Sequence, residues 1–382
     1  MRVYTLRSLD ELARYADDWD RLAGGNPLRG WAWLSTWWRH YGGRAATLRA
    51  VCVFDESDRL VGVGPWYAAA SAPFGRVLRM LGDGEVCTDY VGLLSAPRRD
   101  EAVAMALADE LSRSARARCG NERWDAIRWE GIDAEENTVE WVAQRLADDG
   151  HRVERRAGPA CWRLDLPRSW DAYLAGLSKR RRYALRKLER SFIETGRARV
   201  RFVERSADLP AALATLVDLH QRRRRSLGQR GCFASPPFRA MIEEVSPLLL
   251  SAGQLRLSWL EVDGCAVAAE YQLSDAGVLY VYQAGIDPER LDLQPGNLIT
   301  MMLIRSAIEQ GFTAFDFLRG DEPYKAQFGA RPRPAVLFEV VADRLAARWR
   351  HRVFGAPGRW KRRLRTVFRP AESPTPLLAR ER

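Results

Sequence analysis

Two stretches of this chain repeat one order of elements: a hairpin, a further strand, a helix and a last strand. In the first, LRAVCVF (48–54) and LVGVGPWYAA (60–69) flank a polar DESDR turn, and YVGLLSA (90–96) precedes a helix-like run from Arg99 to Arg116 and the strand WDAIRWEGI (124–132). In the second, RLSWLEVDGCAVAAEYQL (256–273) turns at Asp263-Gly264. VLYVYQAG (278–285), the helix NLITMMLIRSAIEQG (297–311) and the strand FTAFDFLRG (312–320) follow. A shared order of this kind predicts an α/β (α+β) chain of two related modules, each a mixed central sheet flanked by helices. The expected boundaries are 1–160, 161–343 and a basic amphipathic tail, 344–382. A length of 382 residues suits two domains of ordinary size.

The formal charge of +11 suggests a nucleic-acid partner until it is located along the chain. Residues 344–370 hold ten Lys/Arg and no Asp or Glu, so the excess belongs to the tail and not to the folded body. Within the tail, RWKRRLRTVF (359–368) interleaves Trp360, Leu364, Val367 and Phe368 with cations, a pattern suited to an anionic lipid surface. KRRRYALRKLER (179–190) and QRRRR (221–225) add basic runs that read either as solvated helix faces or as grips for a ligand's phosphates, an RNA or a polyanionic glycan. No base-reading motif accompanies them, which argues against specific nucleic-acid recognition.

The cysteines Cys52, Cys87, Cys119, Cys161, Cys232 and Cys265 are scattered, with no C-x-x-C and no nearby histidine at ligand spacing. They read as reduced, mostly buried thiols of a cytoplasmic protein, and no metal site is expected. The N-terminus lacks the apolar core of a secretory signal, and no apolar run is long enough to span a bilayer.

Candidate chemistry gathers in the second module. The strand 278–285 runs through GIDPERLDLQPGN into a helix, and a loop ending at a helix N-terminus directs free N–H groups and the helix dipole at one spot. Strict alternation would put Tyr280, Tyr282 and Ala284 on one side of that strand. Asp316 lies in an apolar strand, either as a reactive carboxylate or as the group that fixes the following turn and pairs with Arg319, Lys325 or Tyr324. Glu270, among small apolar residues, is either a general base or a solvent-facing side chain. His220 on an apolar helix face reads as a packed or rim histidine, and the tryptophans at 31, 33, 37 and 38 read as core.

The blocks KRRRYALRKLERSFIETG, LATLVDLHQRRRRSLGQRGCF, DGCAVAAEYQL, LYVYQAGIDP, QPGNLITMMLIRSAIEQG and FDFLRGDEPYKAQFG resemble the acetyltransferase domain of the GNAT superfamily. More narrowly they resemble its CelD-type branch, linked with cellulose and exopolysaccharide biosynthesis. The entry segment NPLRGWAWLSTWWRHYGG also resembles that branch, and the likeness extends over about residues 1–340. FemAB-type peptidyltransferases, which use aminoacyl-tRNA, share the two-module arrangement and a similar Y-K…F-G ending.

The resemblance implies an acyl-CoA-dependent N-acyltransferase acting on an amine or hydroxyl of a cell-envelope or polysaccharide precursor. It is expected to be cytoplasmic, with peripheral contact to the inner face of the membrane through 344–370. The donor, acetyl-CoA or another acyl-CoA, would lie along Tyr282, Gln283, Ala284 and Gly285, with its phosphates at Gly296, Asn297 and Leu298. Glu270 or Asp316 would act as base, Tyr324 or Tyr282 as acid, and Lys325 would stabilise negative charge. The usual R/Q-x-x-G-x-G/A loop is absent, and Gln294-Pro295-Gly296 echoes it only in part. Two alternatives stay open: aminoacyl-tRNA as donor, and a non-catalytic envelope-biosynthesis scaffold docked on membrane.

Overall fold

The computed structural model describes residues 1–354, apart from 44, 118, 119, 121 and 276. Cys119 and the tail beyond residue 354, with Trp360, Leu364, Val367 and Phe368, lie outside the described residues. Two compact units divide the described residues: 1–159 together with 334–354, and 160–333.

In the first unit the strands are β1 (Arg2–Leu6), β2 (Ala46–Phe54), β3 (Leu60–Ser71), β4 (Gly75–Met80), β5 (Leu94–Ser95), β6 (Ala126–Asp133), β7 (Arg152–Ala157) and, after the second unit, β15 (Ala335–Val341). They lie in the order β1-β2-β3-β4-β6-β15-β7, with β5 on β3. Helices α1 (Leu9–Ala13), α2 (Ala16–Leu22), α3 (Trp31–Tyr41), α4 (Asp100–Ala115), α5 (Asn137–Asp148) and α12 (Leu345–Phe354) accompany the sheet. Apolar residues at helical spacing decide which faces are buried: Val103, Leu107 and Leu111 of α4 and Val139, Val142 and Leu146 of α5 share a core with Ile127, Trp129 and Phe338. Trp66 stacks on Trp129 with ring centroids 5.3 Å apart.

The second unit holds β8 (Cys161–Asp165), β9 (Ala198–Phe202), β10 (Leu255–Val262), β11 (Cys265–Ser274), β12 (Val278–Ile286), β13 (Ala314–Arg319) and β14 (Arg331–Arg333), in the order β14-β8-β13-β12-β11-β10-β9. Its helices are α6 (Trp170–Gly176), α7 (Lys179–Leu188), α8 (Leu209–Ser226), α9 (Pro236–Ser251), α10 (Pro295–Glu309) and α11 (Pro323–Gln327). Helices cover both faces of this sheet. On β11, Glu270 takes a bond from Thr300 of α10, while its neighbour Tyr271, pointing the other way, bonds Ser246 of α9.

The two sheets share one plan, since β4–β6 and β12–β13 are parallel and the pairs around them antiparallel. The expected repeat therefore holds, but through a different strand. In the first unit the strand before the crossover helix is Gly75–Met80, and YVGLLSA contributes only Leu94–Ser95. Ala335–Val341, expected in the second module, pairs with β6 and β7 in the first unit's sheet, because Val336, Phe338 and Val340 belong to that core. Among the described residues no helix is long and apolar enough to cross a membrane.

Candidate active site

Strand β12 leaves β13 early. Their parallel ladder joins Val278, Leu279 and Tyr280 to Ala314, Phe315 and Asp316, whereas β12 stays on β11 as far as the Ile286–Ala268 pair. Two local distortions shape this wedge. In β12, Tyr271 pairs with Gln283 but Gln272 with Val281, so Tyr282 is an extra residue. A one-residue bulge bends a strand and reverses its alternation beyond that point. Tyr282 consequently stacks on Phe238 of α9, with centroids 6.3 Å apart, while Ala284 pairs with Glu270 on the α10 side. The single-sided alternation expected of Tyr280, Tyr282 and Ala284 is lost there.

In β13, Leu318 adopts φ +55°, a left-handed conformation that is costly for a bulky side chain. Pairing with β8 slips between Asp316 and Arg319. Fully buried Asp316 accepts the Leu318 N–H at 2.8 Å and so braces this distortion. Lys325 holds the next turn. Its ammonium donates to the carbonyls of Leu318 (3.2 Å), Arg319 (2.9 Å) and Gly320 (3.0 Å) and pairs with Glu322 at 2.9 Å. Both Lys325 and Glu322 are buried, so the pair ties α11 to the end of β13 and offers no free charge to a substrate.

Glu270 has a different environment. It is 4 % exposed, and among the described residues it accepts hydrogen bonds from Gln272 Nε2 at 3.0 Å and Thr300 Oγ1 at 3.3 Å, both neutral donors. Burial raises its carboxyl to about 7, and the two hydrogen bonds only partly oppose this. A carboxyl poised there exchanges protons near neutral pH. Tyr324 on α11 packs its ring edge-on against Phe317, with centroids 5.8 Å apart. Desolvation first, then the charges of Glu322 and Glu270, push its phenol well above its usual value, so it stays protonated and can donate.

Gln283, Ala284 and Gly285 pair with Tyr271, Glu270 and Ala269. Gly285 has a packing reason: a Cβ there would lie 2.8 Å from the Leu219 carbonyl carbon, so only glycine lets α8 rest on β12. Gly296, Asn297 and Leu298 form the first turn of α10, after Gln294 in the left-handed region. Arg181 of α7 donates to Asn297 Oδ1 at 2.8 Å, and its guanidinium lies 4.2 Å from the centre of the Phe328 ring. This brings a cation to the helix end assigned to the donor's phosphates.

Gln272, Thr300 and Glu322 were not singled out from the sequence, while Arg181 belongs to the basic run 179–190 read there as a candidate phosphate grip. Of the three, Gln272 carried a signal, because a residue two past Glu270 on a strand shares its face. His220 is 1 % exposed, as a packed histidine should be, but its ring meets Cys232, which no local spacing announces. Among the described residues no cluster of three His, Cys, Asp or Glu could hold a metal ion.

Residues 179–326 match the family described as acetyltransferase (GNAT) domain. No curated protein matches the chain. FemX is similar in structure at 11% identity and a TM-score of 0.62, over 92% of this chain and 99% of its own. The C-terminal domain of a protein described as a lysylphosphatidylglycerol synthetase, from Agrobacterium fabrum, is similar at 12% identity and a TM-score of 0.51, covering 89% and 94% of the two chains. L-PGS from Bacillus licheniformis is similar at 13% identity and a TM-score of 0.50, covering 91% and 96%. Residues 179–326 of the second unit are thus similar to a GNAT-type acetyltransferase domain, and the chain shares its fold with these three structures over most of its length.

Proposed function

We propose that the second unit transfers an acyl group from an acyl thioester, acetyl-CoA or a longer acyl-CoA, to an amine or hydroxyl of a cell-envelope or polysaccharide precursor of the kind the CelD-type resemblance implies. The observation that carries this reading is the Glu270 carboxyl, buried beside a prematurely opened strand and raised to about 7. In this mechanism the backbone N–H groups within residues 283–285 that face the opened side of β12, and not β11, polarise the thioester carbonyl, where negative charge develops as the acceptor attacks. Glu270 takes the acceptor's proton, directly or through water. Tyr324 gives a proton to the departing thiolate. Arg181 and the first turn of α10 (Gly296, Asn297, Leu298) hold the donor's phosphates. Asp316 and Lys325 keep the β13 end in shape and do not touch the substrate.

Acetyl-CoA should raise the Tm of the wild type, and radiolabelled acetyl should pass to an amine acceptor. Absence of any shift with a series of acyl-CoAs would remove the thioester reading. A second donor has one observation behind it: Lys179, Arg180, Arg186 and Lys187 on α7 face solvent as a basic strip that suits the acceptor stem of an aminoacyl-tRNA. Under that reading charged tRNA binds, with affinity falling steeply in salt, and acetyl-CoA does not. Peripheral membrane contact is supported by α12, where Leu345, Trp349 and Val353 are 88%, 61% and 39% exposed at four-residue spacing beside arginines.

A further inference from the structure

The connection between α8 and α9 brings a thiol to a histidine. Cys232 Sγ lies 3.5 Å from His220 Nε2. The other ring nitrogen, Nδ1, lies 3.0 Å from Gln221 Oε1. The Gln221 amide has its orientation set by its other end, where Nε2 donates to the Arg230 carbonyl at 2.9 Å. Oε1 must therefore accept, Nδ1 must carry the imidazole proton, and Nε2 presents a lone pair to the thiol. This is the tautomer a base needs to take a proton from sulfur.

The loop is shaped for the contact. Gly231 has φ +74°, and a Cβ there would collide with Gln221 Oε1. Burial first, and then the Arg224 charge, lowers the imidazolium to about 4, so the ring is neutral at pH 7 and takes the thiol proton in concert with attack by sulfur and not beforehand. The Arg224 guanidinium interacts electrostatically with Cys232 and favours the thiolate. Cys232 is itself half-buried and not sealed in a core. The dyad also sits against the candidate donor strand, since the backbone of Leu219 and His220 rests directly on Gly285.

We propose that Cys232 is a nucleophilic thiol, activated by His220, that takes the acyl group from a thioester donor lying on the opened strand. The thiol proton passes to His220 Nε2, Sγ bonds to the acyl carbon, and the donor's carbon–sulfur bond breaks. The departing thiolate takes its proton from Tyr324, and the imidazolium returns one to the tyrosinate. One thioester replaces another, so no oxidant or further reactant is required. The acyl group remains transferable: an amine that attacks it forms the C–N bond, the bond from the acyl carbon to Cys232 breaks, and the amine's proton passes through Glu270 to the freed sulfur.

This rests on the thioester reading above, and a test in two arms separates the two ideas. In the first, the full chain is treated with limiting iodoacetamide and its cysteine peptides are followed by mass spectrometry. Cys232 should be alkylated at least about tenfold faster than the exposed Cys265, and Gln221→Leu should bring the ratio close to one at unchanged fold by circular dichroism. Equal or slower reaction of Cys232 in the wild type overturns the proposal, and that comparison needs no variant to fold. In the second arm, incubation with acetyl-CoA and an acid quench should add the mass of one acetyl group to wild type and none to Cys232→Ser. Acetyl-CoA binding without that adduct overturns this proposal alone; no binding at all overturns the thioester reading with it.

Discussion

Burial leaves Lys325 fully partnered and Glu270 with neutral hydrogen-bond donors, and the two therefore make different predictions. Every donor of Lys325 is engaged, by three carbonyls and one carboxylate. Lys325→Met should therefore cost about 3–5 kcal/mol, because Glu322 is left buried and unpaired. A catalytic lysine would lose turnover with little change in Tm. The stretch Tyr324-Lys325 is visible in sequence as an unusual pair, but the role of the lysine is not. Its partners are the backbone oxygens of residues 318–320, which converge on one point in the turn where Leu318 is left-handed.

Glu270 makes the opposite prediction. Its carboxyl titrates at about 7 in the fold against an ordinary 4.5. Below the ordinary value both folded and unfolded chains keep the proton, and the stabilisation is complete. As pH rises through the folded value it is lost, on the order of 3 kcal/mol by about pH 8. Glu270→Gln should then melt above wild type at about pH 8 and together with it at about pH 4.5, while transfer activity falls. Equal pH profiles in thermal melts would show that the carboxyl is not desolvated. Tyr324→Phe should lower kcat by about 10²-fold or more with Tm nearly unchanged, since only a donor hydroxyl is removed.

At the scale of elements, the wedge between β12 and β13 depends on α8 lying flat on Gly285. Alternation and turn residues make both strands legible, as AVAAEYQL and FDFLR show. The bulge at Tyr282 and the slip after Asp316 are not, because a period-2 pattern carries no mark of an inserted residue. The missed strand β4 has a similar cause: GRVLRM is short, begins at a glycine with φ +78° and carries two arginines, so it resembles a turn. Gly285→Ala should cost about 1–3 kcal/mol by pushing α8 from the sheet. The same shift moves His220 away from Cys232, so thiol alkylation should slow alongside any loss of acyl transfer. A variant that keeps wild-type Tm would contradict the close approach.

For the whole molecule, the order of the sheets makes the second unit an insertion between β7 and β15. Chain adjacency suggested that Ala335–Val341 completes the module it follows, but partner choice follows apolar fit and not sequence distance. β15 fills the gap between β6 and β7, so the first unit is finished only after the second has been traversed. A fragment of residues 160–333 keeps every strand of its own sheet and the core from Leu164 to Ala330. It should unfold cooperatively and, on the thioester reading, gain Tm with acetyl-CoA. A chain truncated after residue 333 keeps that fragment's transition but lacks the strand between β6 and β7. Its near-ultraviolet signal from the stacked Trp66 and Trp129 should vanish, because their core loses Phe338 and Val340. If the truncated chain retains that signal, β15 is dispensable to the first unit's core. If the 160–333 fragment fails to fold, the second unit depends on contacts beyond its own sheet and cannot act as the insertion the strand order describes.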